Sequence, residues 1–457
     1  MTAVHSSSSN AERGRVGLAA FCAHWFTQVG IQSESNTLGE HLRRDHARIV
    51  EFLRECFDEV VAPGVIATVE EATKAIAAFR ERKVAAVIIV HVFWSEDQPL
   101  IALIEGCQGV PMILWNYHPT GHMPAHLTAD DLFRFSGTVG LLQGSVPLQR
   151  RNAKPCLVAG TPGDPVLREE LRQYGMAATI VQTMRGGAVG RIGGPCPCMT
   201  GTHVDGKALQ SHFGIRLHDI SSAEYAAACK AVGHDRPDAM HNQLIHRHPV
   251  QGVSETTLKL ACRNTLALDD LVARHGLNAV AIQDLDEDLH RLAGIRPCLC
   301  PPASAERGVA FGMEADVNAT IGMLAAMRAS GGPCLFGELF TYDPMENLLL
   351  MGHAGVHDPR LAATGSLRLV PDAEYRNSDN CEGTWQEFIM AAGPVTCVSL
   401  YDTGAEYRMT VFEGESVGAP IRLDGFAHAV VRLDQSVELL ISRLVERGMM
   451  QHFAVAH

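Results

Sequence analysis

The sequence lacks an apolar stretch long enough to cross a membrane. Its longest apolar run, VAAVIIV at 84–90, is far shorter than the roughly 20 residues that a spanning helix needs. The N-terminal residues 1–14 contain no apolar segment typical of a signal peptide and resemble a flexible lead. We therefore expect a cytoplasmic protein without a membrane partner.

Positive charge is also scarce. Lys and Arg together number 38 against 51 for Asp and Glu, which gives a net charge of −13 at pH 7. A chain of this charge repels phosphate backbones and anionic lipid surfaces. The composition therefore argues against a nucleic-acid partner.

The usual cofactor motifs are missing as well. No G-x-G-x-x-G dinucleotide fingerprint occurs, and GTHVDGKA at 201–208 has Ala208 where a phosphate-binding loop needs a hydroxyl for Mg²⁺.

The 13 cysteines are an odd number scattered along the chain, which argues for reduced thiols rather than a disulfide framework. Two C-x-C pairs, Cys196/Cys198 and Cys298/Cys300, lack the C-x₂-C spacing of zinc sites and are interpreted as buried apolar side chains, with metal binding as the alternative.

What the sequence does contain is a regular alternation of helical and strand patterns. A helical pattern at 41–57 is followed by dense apolar runs at 83–93 and 110–117, which predicts a parallel sheet covered by helices on both faces. A second unit of the same kind begins near 153–164 and includes a helix at 256–276 and a strand at 277–285. The first two domains are therefore predicted to be doubly wound α/β domains.

The pattern changes after about residue 340. Short strand-like pieces such as PVTCVSLY and YRMTVFEGE are separated by Gly, Pro and Asp, and a helix is predicted at 436–448. This spacing predicts a mainly antiparallel β-barrel-like or sandwich domain. With about 150 residues per domain, we predict three domains, at 1–150, 151–332 and 333–457.

The segment 308–340 carries the strongest sign of chemistry. GVAFG predicts a strand that ends at Glu314, a helix follows from 315, and PCLFG predicts a second strand that ends at Glu338. If the two strands are parallel neighbours, both carboxylates lie at one sheet edge, about 5 Å apart. Two carboxylates that close need a shared proton or a cation. Oxygen ligands completed by imidazole suit Mn²⁺, Co²⁺ or Fe²⁺.

Several histidines could complete such a site. His353 follows an apolar run at 348–352, and His452 lies in a strand-like setting near the end of the chain. His357 is less suitably placed, and His428 competes with His452. Spacing alone leaves each of them open to a purely structural role.

Two other histidine-containing stretches have weaker interpretations. His118 and His122 follow a predicted strand end, where open α/β sheets bind ligands, so substrate contact and loop structure both remain possible; Trp94 is in a similar position. The cluster HNQLIHRHP at 241–249 lacks the i, i+4 spacing that places two imidazoles on one helix face, and it predicts an exposed or partner-facing segment.

Three motifs carry a resemblance to a known group of enzymes. GMEADVNATIGMLAAM, GELFTYDPMENLLLMGHAG and GMMQHFAVAH resemble the metal-site motifs of the L-arabinose isomerase and L-fucose isomerase superfamily. SGTVGLLQGSVPLQRRNAKPCLVAG resembles the helix and strand that lead into that superfamily's second domain, and FGIRLHDISSAEY resembles a later segment of that domain. The resemblance covers most of the chain and is most specific from residue 300 onward.

The resemblance implies a metal-dependent aldose–ketose isomerase with two Rossmann-like domains and a C-terminal β-barrel-like domain. It implies that Glu314, Glu338, His353 and His452 bind a Mn²⁺-type ion, with Mg²⁺ as a further possibility beside Co²⁺ and Fe²⁺. Glu314 and Glu338 would also be the catalytic acids of an enediolate mechanism, because a metal stabilises the developing charge while a carboxylate moves the proton.

The same resemblance implies a homo-oligomer, commonly a hexamer, with active sites near subunit interfaces and a small sugar as substrate. Gln451 stands where the family often has a histidine, and the stretch around His118 matches the family's substrate loop only loosely. Both residues are therefore candidate substrate contacts.

Two alternative functions stay open from the sequence. One is a catalytically silent sugar-binding or regulatory protein on the same scaffold. The other is a related metal enzyme that acts on a modified sugar or a non-sugar polyol. The sequence alone selects neither the sugar nor the glutamate that abstracts the proton.

Overall fold

The computed structural model describes residues 14–26, 37–374 and 383–457. The chain divides into two compact units, Met1–Thr183 and Met184–His457. Within the described residues, no helix is long and apolar enough to cross a membrane.

The first unit is built on a parallel sheet. Its strands are β1 (Arg15–Phe21), β2 (Glu59–Val61), β3 (Val65–Ile66), β4 (Ala86–His91), β5 (Met112–Tyr117) and β6 (Cys156–Gly160). The order is β2-β1-β4-β5-β6, with β3 also paired to β1, and every pairing is parallel. All six residues of β4 are buried, as expected for a strand covered on both faces.

Six helices with both ends in the described residues accompany this sheet. They are α1 (Thr37–Cys56), α2 (Val69–Glu81), α3 (Asp97–Gly106), α4 (Ala129–Arg134), α5 (Gly137–Arg150) and α6 (Pro165–Met184). Helix α2 begins with a capping box, in which Thr68 and Glu71 each accept a hydrogen bond from the other's backbone N–H.

The second unit begins with another parallel sheet. Its strands are β7 (Ala188–Ile192), β8 (Arg216–Ile220), β9 (Ala279–Ile282) and β10 (Ala310–Met313), in the order β10-β9-β7-β8. The chain adds β8 on one side of β7 and then β9 and β10 on the other. This reversal is the place where open α/β sheets bind ligands, beyond the carboxyl ends of the strands.

Seven helices accompany this second sheet. They are α7 (Gly206–Phe213), α8 (Ser222–Ala231), α9 (Asp235–Arg247), α10 (Glu255–His275), α11 (Glu287–Ala293), α12 (Pro302–Glu306) and α13 (Val317–Ser330). Helix α13 contacts β7, β9 and β10 of this sheet as well as three strands of the barrel that follows, so it is buried almost all round.

Six of the eight C-terminal strands that the structure describes form a closed barrel. The strands are β11 (Cys334–Asp343), β12 (Leu348–His353), β13 (Arg368–Pro371), β14 (Thr384–Ile389), β15 (Gly393–Asp402), β16 (Tyr407–Ser416), β17 (Ala427–Arg432) and β18 (His452–Ala456), with helix α14 (Val437–Glu446) before the last. The antiparallel order β12-β11-β18-β15-β16-β17 is closed by the pairing of β12 with β17, and β14 and β13 extend the sheet from β17. The predicted fold class, two doubly wound sheets followed by a mainly antiparallel barrel, is confirmed.

Two details differ from the sequence-based predictions. Strand β6 pairs with β5 in the first unit, whereas the sequence assigned 151–332 to a second domain; the three-domain division stays a prediction. Strand β11 pairs with β12 and β18 of the barrel, so the expected parallel pairing of β10 with the strand of Glu338 is wrong. Helix α13 leads the chain out of the parallel sheet instead of back into it.

Candidate metal centre

Three of the four predicted metal ligands lie together. Glu314, His353 and His452 each offer one ligand atom within 4.8 Å of the other two, and all three are buried. Oε2 of Glu314 lies 3.0 Å from Nε2 of His452, and Oε1 lies 3.9 Å from Nε2 of His353. One carboxylate and two imidazoles form a donor set that suits a divalent ion.

The atoms that face one another in this group have no hydrogen-bond partner. Oε2 of Glu314 and Nε2 of both histidines are buried and unsatisfied, although two of them are only 3.0 Å apart. Nδ1 of His353 lies 2.8 Å from the carbonyl oxygen of Ala354, and Nδ1 of His452 lies 2.8 Å from Oδ2 of Asp316. A carbonyl oxygen can only accept, so Nδ1 of His353 is the donor and its Nε2 is free to bind a metal. The residues therefore fit an ion.

Glu314 reaches the group from an unusual backbone conformation. Both Glu314 and Ala315 have φ of +56°, a left-handed conformation that non-glycine residues seldom adopt and that costs of order 1–3 kcal/mol each. The N–H of Glu314 donates to Oδ1 of Asp284 at 2.8 Å, and the N–H of Ala315 donates to the carbonyl oxygen of Ile282 at 2.9 Å. These bonds hold the turn at the end of β10.

Asp316 links the start of helix α13 to the site. Its Oδ1 accepts from the N–H of Ala319 at 2.9 Å and so caps the helix, while its Oδ2 contacts Nδ1 of His452. This residue was not among the site candidates predicted from the sequence. Its signal was an Asp directly before the helical pattern, which indicates a cap but not a contact with a residue 136 positions away.

The buried Arg296 forms an ion pair with Asp284. Nη1 of Arg296 lies 3.1 Å from Oδ2 of Asp284 and 2.7 Å from Oε2 of Glu374, and its Nε and Nη2 form a two-point contact with Asp372. Burial opposes the charge of Arg296, but Cys298 and these carboxylates raise the pKa of the guanidinium. No sequence pattern identified this network.

The carboxylates and imidazoles of the group stabilise each other's charged forms. Burial alone would raise the pKa of Glu314, yet His452 and His353 hold it below its usual value. Burial alone would lower the pKa of His452, but Asp316 and Glu314 raise it to about 10. A cation that enters the site would take the place of the proton on His452.

Glu338 lies outside this close group of three. It is an interior residue of β11, which continues to Asp343, and not the end of a strand. In the sheet register it is directly opposite His452 on one side and Gly352 on the other. Directly opposed residues of antiparallel strands project from the same face, with Cβ atoms about 4.5–5.5 Å apart. The side chain of Glu338 therefore starts beside that of His452.

The two competing histidines make other contacts. His357 is buried, and its Nε2 lies 2.9 Å from the carbonyl oxygen of His353. Nε2 of His428 accepts from the N–H of Arg422 at 3.0 Å, and its Nδ1 donates to the carbonyl oxygen of Phe426. Among the residues that the structure describes, neither joins the close group.

The two candidate substrate contacts lie in different units. Gln451 directly precedes β18, and its Nε2 lies 3.3 Å from Sδ of Met199. His118 follows β5 in the first unit, where its Nδ1 accepts from the N–H of Gly121 at 2.8 Å. Their roles in substrate binding stay predictions.

The remaining candidates have local contacts. Sγ of Cys196 lies 3.3 Å from Sγ of Cys198. Cys196 and Cys298 are buried, but Cys198 is exposed, so the interpretation of both pairs as buried side chains is wrong for Cys198. Trp94 donates from Nε1 to the side chain of Gln143. In the cluster at 241–249, carried mostly by helix α9, His241 is buried whereas His246 is exposed.

Together these features define a mixed α/β protein with a buried carboxylate–imidazole centre between β10, the edge strand of a parallel sheet, and the barrel strands β12 and β18. No family model matches the chain. Among proteins of known activity, the chain is 24% identical over 357 residues to the sulfoquinovose isomerase of Alkalicoccus urumqiensis, which covers 76% of each protein. This similarity supports an enzyme that interconverts aldose and ketose sugars.

Proposed function

We propose that the chain is a metal-dependent aldose–ketose isomerase whose ion is held by Glu314, His353 and His452. The observation that carries the proposal is the set of three buried ligand atoms that face one another without hydrogen-bond partners. Mn²⁺ is the first ion to test, with Co²⁺, Fe²⁺ and Mg²⁺ as alternatives, because all of them accept mixed oxygen and imidazole ligands.

The reaction needs a proton to leave the carbon beside the carbonyl group and to return to the neighbouring carbon. When bound, the ion would supply stabilisation of the negative charge that develops on the sugar's oxygens. Glu314 has its pKa held low and is suited to remain a ligand. Glu338, which starts beside His452, is proposed as the carboxylate that takes the proton from the carbon beside the carbonyl group, which leaves an enediolate, and returns it to the former carbonyl carbon. The proton of the neighbouring hydroxyl group passes to the former carbonyl oxygen in the same exchange.

The relative favours a modified sugar as the substrate. Sulfoquinovose is a sulfonated aldose, so sulfonated aldoses come first, and sugars like L-arabinose and L-fucose follow from the motif resemblance. Gln451 and His118 are proposed as substrate contacts. A cytoplasmic homo-oligomer, commonly a hexamer in the superfamily, with sites near subunit interfaces, remains part of the proposal.

The test begins with metal removal. The chelated protein would be titrated with Mn²⁺ by calorimetry and then assayed with sulfoquinovose, L-fucose and L-arabinose, with and without Mn²⁺. Isomerisation that disappears on chelation and returns with Mn²⁺ is expected. A metal-loaded protein that isomerises none of these or a wider panel of aldoses would refute the proposal. A sugar that binds but yields no product would favour the catalytically silent sugar-binding protein. Turnover of a non-sugar polyol alone would favour the related metal enzyme.

Two glutamine variants separate the roles of the carboxylates. Glu314→Gln is expected to lose Mn²⁺ binding and activity together. Glu338→Gln is expected to keep Mn²⁺ binding and lose turnover, whereas loss of Mn²⁺ binding would make Glu338 a fourth ligand. Glu346→Gln, at an exposed position of the β11–β12 hairpin, is the matched control and is expected to behave as the parent protein.

A further inference from the structure

We infer that Asp316 is a positioning residue that fixes His452 with its Nε2 towards the metal centre. The inference rests on the proposed metal centre and adds a residue that contacts neither the ion nor the sugar. Asp316 is 1% exposed, and its carboxylate lies between the first turn of α13 and the imidazole of His452.

Both oxygens of Asp316 already have a partner. Oδ1 accepts from the N–H of Ala319 at 2.9 Å, and Oδ2 lies 2.8 Å from Nδ1 of His452. A carboxylate can only accept, so Nδ1 of His452 must carry the proton and donate. The second ring nitrogen, Nε2, faces Glu314, 3.0 Å away, and is thereby the nitrogen that would exchange its proton for a metal ion.

The contact also fixes the orientation of the ring. If the imidazole rotated by half a turn, Nδ1 would lose its buried acceptor and a carbon would face the other ligands. A hydrogen-bonded carboxylate behind a metal-binding histidine holds the ring and increases its basicity, and loss of such a partner typically weakens metal binding by about 10–100-fold.

Only an acidic side chain meets both demands at this position. Asparagine has a single acceptor oxygen, so it can cap α13 or accept from His452, but not both. Serine can cap the helix, but its side chain is too short to span the gap to His452. The two variants therefore separate capping from positioning.

The first test compares Asp316→Ser and Asp316→Asn with the parent protein. Mn²⁺ dissociation constants would be measured by calorimetry, and the metal-free proteins would be melted. We expect Mn²⁺ binding about 10–100-fold weaker in both variants. The melting temperature of Asp316→Ser should fall by about 2–12 °C, because the hydroxyl keeps the cap but the buried N–H of His452 loses its acceptor. Mn²⁺ affinity within threefold of the parent in both variants would overturn the inference.

The matched control is Asp205→Ala, which removes a helix cap. Asp205 caps helix α7 of the same unit by accepting from the N–H of Lys207, and it is exposed. This variant is expected to leave Mn²⁺ affinity unchanged. An equal loss of affinity in this control would mean that capping, and not the contact with His452, controls the site.

A measurement on the parent protein keeps the inference testable if the variants do not fold. In ¹⁵N-histidine NMR spectra with Zn²⁺ as a diamagnetic probe, His452 is expected to carry its proton on Nδ1. A proton on Nε2, or free exchange between the two tautomers, would overturn the inference. If the parent protein binds no metal at all, the proposed function fails instead.

Discussion

Replacement of Arg296 by methionine is expected to destabilise the second unit strongly. Arg296 is completely buried and contacts Asp284 and Asp372, whose side chains are also at most 1% exposed. Methionine fills much of the same space but leaves these two carboxylates without the cation that compensates them. Removal of one partner from a buried ion pair typically costs about 3–5 kcal/mol.

The expected magnitude can be converted into a melting temperature. In a unit of this size, each kcal/mol shifts the midpoint by about 2–4 °C, so a loss of roughly 10 °C is expected. The metal-free variant and parent would be compared by circular dichroism melting at neutral pH. The variant should also bind Mn²⁺ more weakly, because Asp284 holds the backbone N–H of Glu314.

The surface pair of Arg236 and Asp270 provides the matched control. Its guanidinium also forms a two-point contact with a carboxylate, at 2.8 and 3.0 Å, but both side chains are well exposed. Arg236→Met is expected to cost less than about 1 kcal/mol. Equal, small losses in the two variants would refute the argument that burial makes the Arg296 contacts costly to break.

A change in pH gives a second check on the same reasoning. In Arg296→Met, a proton on either stranded carboxylate would replace the missing charge. The folded variant then takes up more protons than its unfolded chain, so its stability should rise as pH falls from about 7 to 5. A deficit relative to the parent that stays constant or grows over this range would contradict the explanation.

Two further predictions concern the first unit. Burial lowers the pKa of His91 to about 4, so the unfolded chain binds the proton more readily than the folded protein. The free energy of unfolding of the parent should therefore decrease by up to about 3 kcal/mol as pH falls from about 6.5 to 4. In urea unfolding, His91→Gln should show a weaker pH dependence than the parent, and an unchanged pH dependence would refute the assignment. Gly137→Ala should lower the free energy of unfolding by about 1–3 kcal/mol in the same assay, because a Cβ there would overlap the carbonyl oxygen of His91. The control Thr138→Ala, at an exposed position, should change it little. A Gly137 variant as stable as this control would contradict the overlap.

Much of the fold could be predicted because its elements have strong local patterns. The run at 83–93 contains β4, and the predicted helix at 256–276 coincides with α10 to within one residue at each end. The short apolar pieces after residue 340 became the strands of the barrel. In each case the period of apolar residues matches the geometry of the element that forms.

Strand partners could not be predicted in the same way. The strand at 156–160 has the same apolar character whichever sheet it joins, and only long-range packing assigns β6 to the first unit. The strand of Glu338 looked like a return to the parallel sheet, because the strand–helix–strand pattern of a parallel crossover fits it. Helix α13 contacts both the parallel sheet and the barrel, so almost every side of it is buried.

The candidate site likewise contains residues that could be predicted from the sequence and residues that could not. Glu314, His353 and His452 could be selected because each follows or begins an apolar strand and belongs to a motif with a resemblance. Asp284 and Arg296 could not, since an Asp and an Arg in a loop have many ordinary roles. Their importance depends on contacts that only the folded chain creates. The left-handed turn at Glu314 could not be predicted either, because neither of its residues with positive φ is a glycine.

The separation of the ligands along the chain has a consequence for the order of assembly. Glu314 follows a strand of the parallel sheet, whereas His353 and His452 belong to barrel strands β12 and β18. An ion held by all three would act as a cross-link between these two parts of the second unit, and it would stabilise only the folded form. During synthesis, His452 emerges long after Glu314 has been made. The growing chain therefore has no complete site to offer, and capture of the ion would be among the last events of folding.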